Sequence, residues 1–261
     1  MNCSFCHGHK RAKRLMSKEE FAHVLGQIEG KTKNIYYHLM GEPLLHPELP
    51  TFIKMANERG LRSLITTNGT LLKERGECIL ESGIYKINIS LHSFEGNDIE
   101  QQRQYLSDVV SFSKEAWKRG VIVVLRLWNR GADEDRNQGI LDFLKAHFEG
   151  VWEENERGIK IKNRLHVEWG ERFEWPDMEA EEGSESVFCY GMRDHFGILV
   201  DGSVVPCCLD SEGAITLGNL FENSLTDILS TSRARAIKHG FGSHHATEEL
   251  CRRCSYARRF K

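Results

Sequence analysis

Cysteines stand at ligand spacing at both ends of this chain. Cys3 and Cys6 form a C-x2-C pair, with Phe5 just before the second thiol. Far downstream come Cys189, Cys207, Cys208, Cys251 and Cys254, the last two again as C-x2-C. Thiolates in such pairs suit iron–sulfur clusters or zinc, and spacing alone leaves the two open. No apolar signal-peptide core precedes them, so the cytoplasm is the expected compartment and metal sites are favoured over disulfides. Cys78, alone in a helical stretch, reads as a small buried hydrophobe.

Between the thiols lie short polar motifs. Met40-Gly41-Glu42-Pro43 holds a glycine, which permits close backbone approach, and a carboxylate. Thr66-Thr67-Asn68-Gly69-Thr70 contains an Asn-Gly turn flanked by threonines. Ser90 and His92 follow Lys86-Ile-Asn-Ile, and Arg126 ends an apolar run, where it would be costly if buried unpaired. His92 is a candidate proton donor.

The elements that must position these motifs alternate in type. Ser17 and Glu20 form a capping box ahead of Phe21, Val24, Leu25 and Ile28 at helical spacing. Strands are predicted at 34–39, 62–66, 85–90, 121–126 and 165–169. Helices are predicted from His46 to about residue 59, from the Asn-Gly turn to about 82, at 98–119 and at 136–147. Such alternation implies parallel βαβ units, closing into a barrel or a doubly wound sheet. Every polar motif follows a strand, and ligands in these folds bind at the carboxyl ends of strands. Downstream, Ile198–Val205 reads as a hairpin about an Asp201-Gly202 turn.

Composition bounds the rest. The 261 residues carry a net charge of −3 and 28% charged side chains, so nothing global indicates nucleic acid or an anionic membrane. No run approaches the length of a membrane span. The stretch from 171 to 186 turns acidic and loop-like, and a boundary is placed there. Arg252, Arg253, Arg258 and Arg259 read as a solvated tail.

Taken in order, the motifs resemble radical S-adenosylmethionine (radical SAM) enzymes. Cys3, Phe5 and Cys6 resemble the end of that family's C-x3-C-x2-C cluster loop. The first cysteine of the motif would fall upstream of Met1, and the start is expected to be truncated. Met40–Pro43 is similar to the G-G-E-P motif, with Met40 in place of the first glycine. Thr67–Thr70 is similar to T-N-G-T. Residues 89–93 resemble I-S-L-D-G, with His92 and Ser93 in place of Asp and Gly. The cysteines from 189 onward, with D-G-x-V-x-P-C and Leu217-Gly-Asn-Leu220, resemble the SPASM/twitch extension.

The resemblance implies an α/β fold: a partial (β/α)6 barrel lacking its first strand (1–170), an acidic linker (171–186) and a small SPASM/twitch domain (187–261). It implies a 4Fe-4S cluster on Cys3 and Cys6, and one auxiliary 4Fe-4S cluster on Cys189, Cys207, Cys251 and Cys254. Whether Cys208 is a ligand stays open. S-adenosyl-L-methionine would be held near Phe5, Gly41, Glu42, Thr67, Asn68, Ser90 and Arg126. The implied activity is that of an oxidoreductase or maturase. It generates a 5′-deoxyadenosyl radical for hydrogen abstraction, and the chain as it stands would be inactive without the first cluster cysteine. A peptide or protein substrate is expected, with a small molecule as the other option. The electron donor would be of flavodoxin or ferredoxin type. The rival class is a non-catalytic zinc- or Fe–S-binding protein with a degenerate barrel.

Overall fold

The computed structural model describes residues 8, 10–94, 99–131 and 136–259. Cys3, Phe5 and Cys6 lie outside them. The chain divides into two compact units. The first holds Gly30–His38 and Glu42–Arg172; the second gathers the described residues before Gly30, Leu39–Gly41 and the chain from Phe173 onward.

In chain order, helix α1 (Lys18–Ile28) belongs to the second unit. The first unit follows as β1 (Asn34–Tyr36), α2 (Leu49–Glu58), β2 (Arg62–Thr67), α3 (Leu72–Glu81), β3 (Lys86–Ser90), α4 (Ile99–Lys118), β4 (Ile122–Arg130) and α5 (Asn137–His147). The strands β5 (Glu153–Asn155), β6 (Gly158–Lys162) and β7 (Leu165–Glu171) complete its sheet. The sheet order is β1-β2-β3-β4-β7-β6-β5. β1 to β4 and β7 run parallel, while β6 and β5 are antiparallel additions.

Alternation along the strands separates two faces. Ile65, Ile87, Ile89, Val123, Leu125, Leu127, Leu165 and Val167 join the main core with Ile79 and Leu80 of α3, Val109 and Ala116 of α4, and Ile140 and Leu144 of α5. Burying each such Leu, Ile or Val contributes about 1.5–3 kcal/mol before conformational entropy is counted. Lys86, Asn88, Ser90, Arg126, Trp128, His166 and Glu168 fall at the alternate positions, on the inner face. A reciprocal amide pair, Asn129 with Asn137 at 3.0 and 3.1 Å, ties the end of β4 to the start of α5.

Three differences from the sequence-based expectation have local causes. The first strand stops at Tyr36, three residues early; Tyr37 N still donates to Leu64 O at 3.2 Å, and the chain is then diverted towards Gly41, whose φ is +101°. The 121–126 strand extends to Arg130, because β7 continues to pair with it across an irregularity between Leu127 and Arg130. The sheet is extended by the β5–β6–β7 meander in place of another βα repeat. Gly158 makes that meander possible: at φ +150°, a Cβ there would sit 2.0 Å from Val167 O.

The second unit contains a small antiparallel sheet of β8 (Gly197–Ile198), β9 (Ser203–Val205) and β10 (Gly218–Asn219), then helices α6 (Leu225–Ser230), α7 (Ser232–Gly242) and α8 (Glu249–Arg252). The Asp201-Gly202 turn joins β8 and β9 as expected, with Gly202 at φ +87° and Ser203 N donating to Asp201 Oδ1 at 3.2 Å. The Leu217–Leu220 segment locks that turn, since Asn219 Nδ2 donates to Asp201 O at 2.9 Å. The Ser17–Glu20 capping box is formed. Helix α1 packs within this unit: His23 Nε2 donates to Leu220 O at 2.9 Å, and Leu225 N donates to Gln27 Oε1 at 3.0 Å. Arg11, upstream of α1, pairs with Asp201.

Of the C-terminal arginines, Arg252 and Arg253 are not merely solvated. Arg252 pairs with Glu182, while Arg253 pairs with Glu249 at 2.8 Å and donates to Ala180 O. Ser255 Oγ donates to Glu174 O at 2.9 Å. The acidic stretch is therefore laid against α8 and the residues after it.

Candidate functional site

In the first unit the polar motifs sit at the carboxyl ends of the parallel strands. The Glu42 carboxylate caps the short 3-10 turn Pro43–Leu45, accepting from Leu44 N at 3.0 Å. The same carboxylate accepts from Thr67 Oγ1 at 2.7 Å and from Asn68 N at 2.8 Å. Burial pushes its pKa up, and these three donors offset that only in part. Thr67 Oγ1 in turn accepts from Gly69 N at 3.0 Å, and Asn68 Oδ1 accepts from Thr70 N and Thr70 Oγ1 at 2.9 and 2.7 Å. Tyr105 Oη donates to Asn68 O at 2.8 Å. The side chains of Glu42, Thr67 and Asn68 thus hold the turn's shape, leaving its backbone as the surface a ligand would meet.

Ser90 and Arg126 are register partners on β3 and β4. The Arg126 guanidinium lies 4.4 Å from the centre of the Trp128 ring, and its Nε is 3.8 Å from Glu168 Oε1. Trp128 Nε1 donates to the same oxygen at 3.2 Å. A cation steered in this way on the inner face suits a carboxylate ligand.

His92 is placed differently from a free proton donor. Its Nδ1 accepts from Trp128 N at 3.2 Å and lies 3.1 Å from Arg126 O. Burial lowers its pKa to about 4, and the charge of Arg126 adds to that against the raising contact with Arg126 O. The ring is neutral and braces the end of β4.

Residues passed over in the sequence complete this face. His38, beyond β1, is partly buried; desolvation and the charge of Arg126 lower it to about 4. Lys86, Asn88, Trp128, His166 and Glu168 alternate on their strands with residues of the core. That alternation of polar groups within strands covered on their other face was the available signal.

In the second unit Cys189, Cys207, Cys208, Cys251 and Cys254 line one cavity of about 420 Å³, together with apolar Pro206, Leu209, Ile215, Phe241 and Leu250. Cys207 follows β9 after Pro206, Cys251 lies on α8, and Cys254 N closes a turn on Cys251 O at 3.3 Å. Cys208 is the exposed member; the other four are partly covered. Burial pushes the Cys207 thiol up to about 12, with neighbouring Cys208 and Cys189 adding to it. Burial also raises Cys251, followed by the charges of Cys207, Cys189 and Cys254. Thiols that oppose one another's ionisation become thiolates when a cationic centre sits between them. The five thiols share one cavity, a thiolate donor set that fits an iron–sulfur cluster.

Comparison with known proteins identifies both parts of the chain. Residues 1–152 match the model of the Radical SAM superfamily, and residues 189–255 match that of an iron-sulfur cluster-binding domain, SPASM. A probable GTP 3′,8-cyclase of Sulfolobus acidocaldarius is 34% identical over 148 residues, covering 54% of this chain and 46% of its own length. The chain spans about half the length, or less, of the curated relatives it matches. Among solved structures, BtrN in complex with AdoMet and 2-DOIA superposes with a TM-score of 0.58 at 21% identity, covering 94% of this chain and 82% of that one. Native anSMEcpe with bound AdoMet and a peptide gives 0.58 at 13% identity, covering 98% and 83%. At these identities the likeness is one of fold. No helix among the described residues is long and apolar enough to cross a membrane.

Proposed function

We propose, for a chain that belongs to the radical SAM superfamily and carries an iron-sulfur cluster-binding domain, that it is an enzyme taking a hydrogen atom from its substrate. The observation that carries the reading is the family match over residues 1–152, on a parallel sheet that carries Ser90 at the end of β3, Arg126 beside it on β4 and Glu42 in the loop after β1. With the family come S-adenosylmethionine and a 4Fe-4S cluster, which when bound supply a 5′-deoxyadenosyl radical.

The chain's own residues divide the remaining work. Cys3 and Cys6 are assigned as thiolate ligands of that cluster, beside Phe5. Glu42 holds the turn at Thr67 and Asn68 in register with its own loop, presenting backbone groups to the cofactor. Gly41, at φ +101°, gives that loop its path. Ser90 and Arg126 face the cofactor's carboxylate end. Cys189, Cys207, Cys251 and Cys254 are assigned to the auxiliary 4Fe-4S cluster, and four protein thiolates leave it no open iron for substrate. In this reading 1–170 are catalytic apart from α1, which packs in the second unit, 171–186 connect, and 187–261 hold the auxiliary cluster. A cytoplasmic flavodoxin- or ferredoxin-type protein serves as electron donor.

A small molecule is the favoured substrate class, since curated relatives are named as cyclases of a nucleotide. The peptide or protein reading keeps one support, the peptide bound to a structural neighbour.

The test is release of 5′-deoxyadenosine under strong reductant after anaerobic loading with iron and sulfide, in this chain and in a form extended upstream in its reading frame. Cys3→Ala with Cys6→Ala should abolish release while the second unit keeps its iron. Undiminished release in that double variant would remove the front pair from the reading.

A further inference from the structure

The inner face of the first unit's sheet carries positive charge that its neighbours do not fully answer. The strand register arranges this face in rows. Lys86 stands between Leu64 and Ile122; Asn88 stands between Thr66 and Val124, with His166 next; Ser90, Arg126 and Glu168 form the row above. His38 lies two residues beyond Tyr36, the partner of Leu64, and its ring meets that of Tyr36 edge-on with centroids 6.1 Å apart. Tyr37, between them, turns the other way, its hydroxyl 3.1 Å from Ser63 Oγ.

The charges on this face differ in how they are met. Lys160, opposite His166, has Glu153 at 3.0 Å. Arg126 shares Glu168 with the Trp128 indole. Lys86 is half-buried, and among the described residues it has no ion pair or hydrogen bond; burial first, then the charge of Arg126, weakens its hold on its proton, and the Glu168 carboxylate offsets this only in part. Two side-chain atoms sealed from solvent also have no partner: His38 Nδ1 and Asn88 Oδ1. Asn88 spends its amide nitrogen on Thr66 Oγ1 at 3.1 Å. Buried polar atoms are nearly always paired, and exceptions call for an occupant. A half-desolvated ammonium beside a guanidinium calls for an anion.

We infer that this face, through Lys86 and the His38 ring, binds an oxyanion of the substrate, a carboxylate or a phosphate, while Asn88 Oδ1, an acceptor, is left for a hydroxyl or N–H of the same ligand. The inference rests on reading this unit as the radical enzyme's catalytic part. It assigns Lys86 to the substrate and leaves Arg126 to the cofactor, two rows nearer the strand ends.

The test uses the full chain, anaerobically loaded, with S-adenosylmethionine saturating and ionic strength held constant by potassium chloride. Orthophosphate and succinate are titrated calorimetrically. Saturable binding of orthophosphate is expected if the substrate is phosphorylated, and of succinate if it is a carboxylic acid. In either arm Lys86→Met should weaken binding by about tenfold, the scale of one charge-assisted hydrogen bond. Lys86→Arg should retain it, and Lys118→Met, on exposed α4 surface, should leave it unchanged. Asn88→Asp, which supplies Lys86 with a carboxylate, should abolish it and serves as the check should Lys86→Met fail to fold. Binding by neither anion, binding indifferent to Lys86→Met and Asn88→Asp, or binding expelled by S-adenosylmethionine overturns the inference. Substrate-free release of 5′-deoxyadenosine, measured on the same preparation, tests the radical reading separately.

Discussion

The Glu42 carboxylate and the Asn68 backbone, 26 residues apart in sequence, are joined by a 2.8 Å hydrogen bond that fastens the loop after β1 to the loop after β2. The same carboxylate holds Thr67 Oγ1 and Leu44 N, so one side chain sets the relative height of two motif loops. Its acceptor-only chemistry is what the three donors need.

Glu42→Gln tests that brace. Glutamine offers one acceptor oxygen and turns an NH2 towards a donor, so stability should fall by about 1–3 kcal/mol. Urea unfolding read by far-UV circular dichroism measures this. An unchanged midpoint would mean that the carboxylate is not what holds the two loops.

A second expectation concerns pH. Burial lowers His38 and His92 to about 4, from the ordinary histidine value of 6.5. Both rings stay neutral in the folded chain while the unfolded chain takes up protons. Their contribution to stability is therefore fully present above pH 6.5 and is lost as pH falls towards 4. The loss runs at about 1.4 kcal/mol per histidine for each tenfold weakening of its proton affinity on folding. Urea midpoints should decline from about pH 7 to about pH 4.5, and His38→Asn should flatten part of the slope. A slope unaltered by that substitution would show that His38 titrates normally.

In the thiol cavity, Cys251→Ser with Cys254→Ser should remove the second unit's iron and sulfide and block product, while some 5′-deoxyadenosine is still released. Cys208→Ser should keep iron near the parent level, because Cys208 is the exposed member of the five. Metal analysis per chain decides both. A large loss of iron in Cys208→Ser would make it the ligand in place of Cys207.

Gly69 supplies a fourth test. Its φ is +82°, and a Cβ would lie 3.0 Å from Ile89 Cγ2 and from Tyr105 Oη. Gly69→Ala should destabilise the first unit by about 1–3 kcal/mol through strain and crowding. Tyr105→Phe, which deletes only the hydroxyl that donates to Asn68 O, should cost less, about 0.5–1.5 kcal/mol. Equal losses would shift the cause from the backbone to the tyrosine contact.

The alternation of β2, β3 and β4 with their helices was legible because Ile65, Ile87, Ile89 and Val123 recur at strand period beside helical runs, and period is local information. The Asp201-Gly202 hairpin was legible from its turn dipeptide, which is local information too. The β5–β6 addition was not, since Glu153–Asn155 is exposed and its pairing depends on Gly158 passing beneath Val167 O, a contact between strands. Cys189, Cys207, Cys251 and Cys254 were found by spacing, and one cavity unites them. The inner face was legible only at Arg126 and Ser90. Lys86, Asn88 and His38 acquire meaning through register between strands, which no single segment carries. His92 drew notice by type, and its neighbours make it a brace.

Helix α1 and the chain after Phe173 build one unit from opposite ends of the sequence, with His23 meeting Leu220 and Gln27 meeting Leu225. A ribosome releases α1 long before its partners exist, so the amphipathic face of Phe21, Val24, Leu25 and Ile28 must wait through the synthesis of the entire first unit. Assembly of the thiol-bearing unit is thereby a late, high-contact-order event. Excising the C-terminal segment alone would leave it without the helix that covers its core.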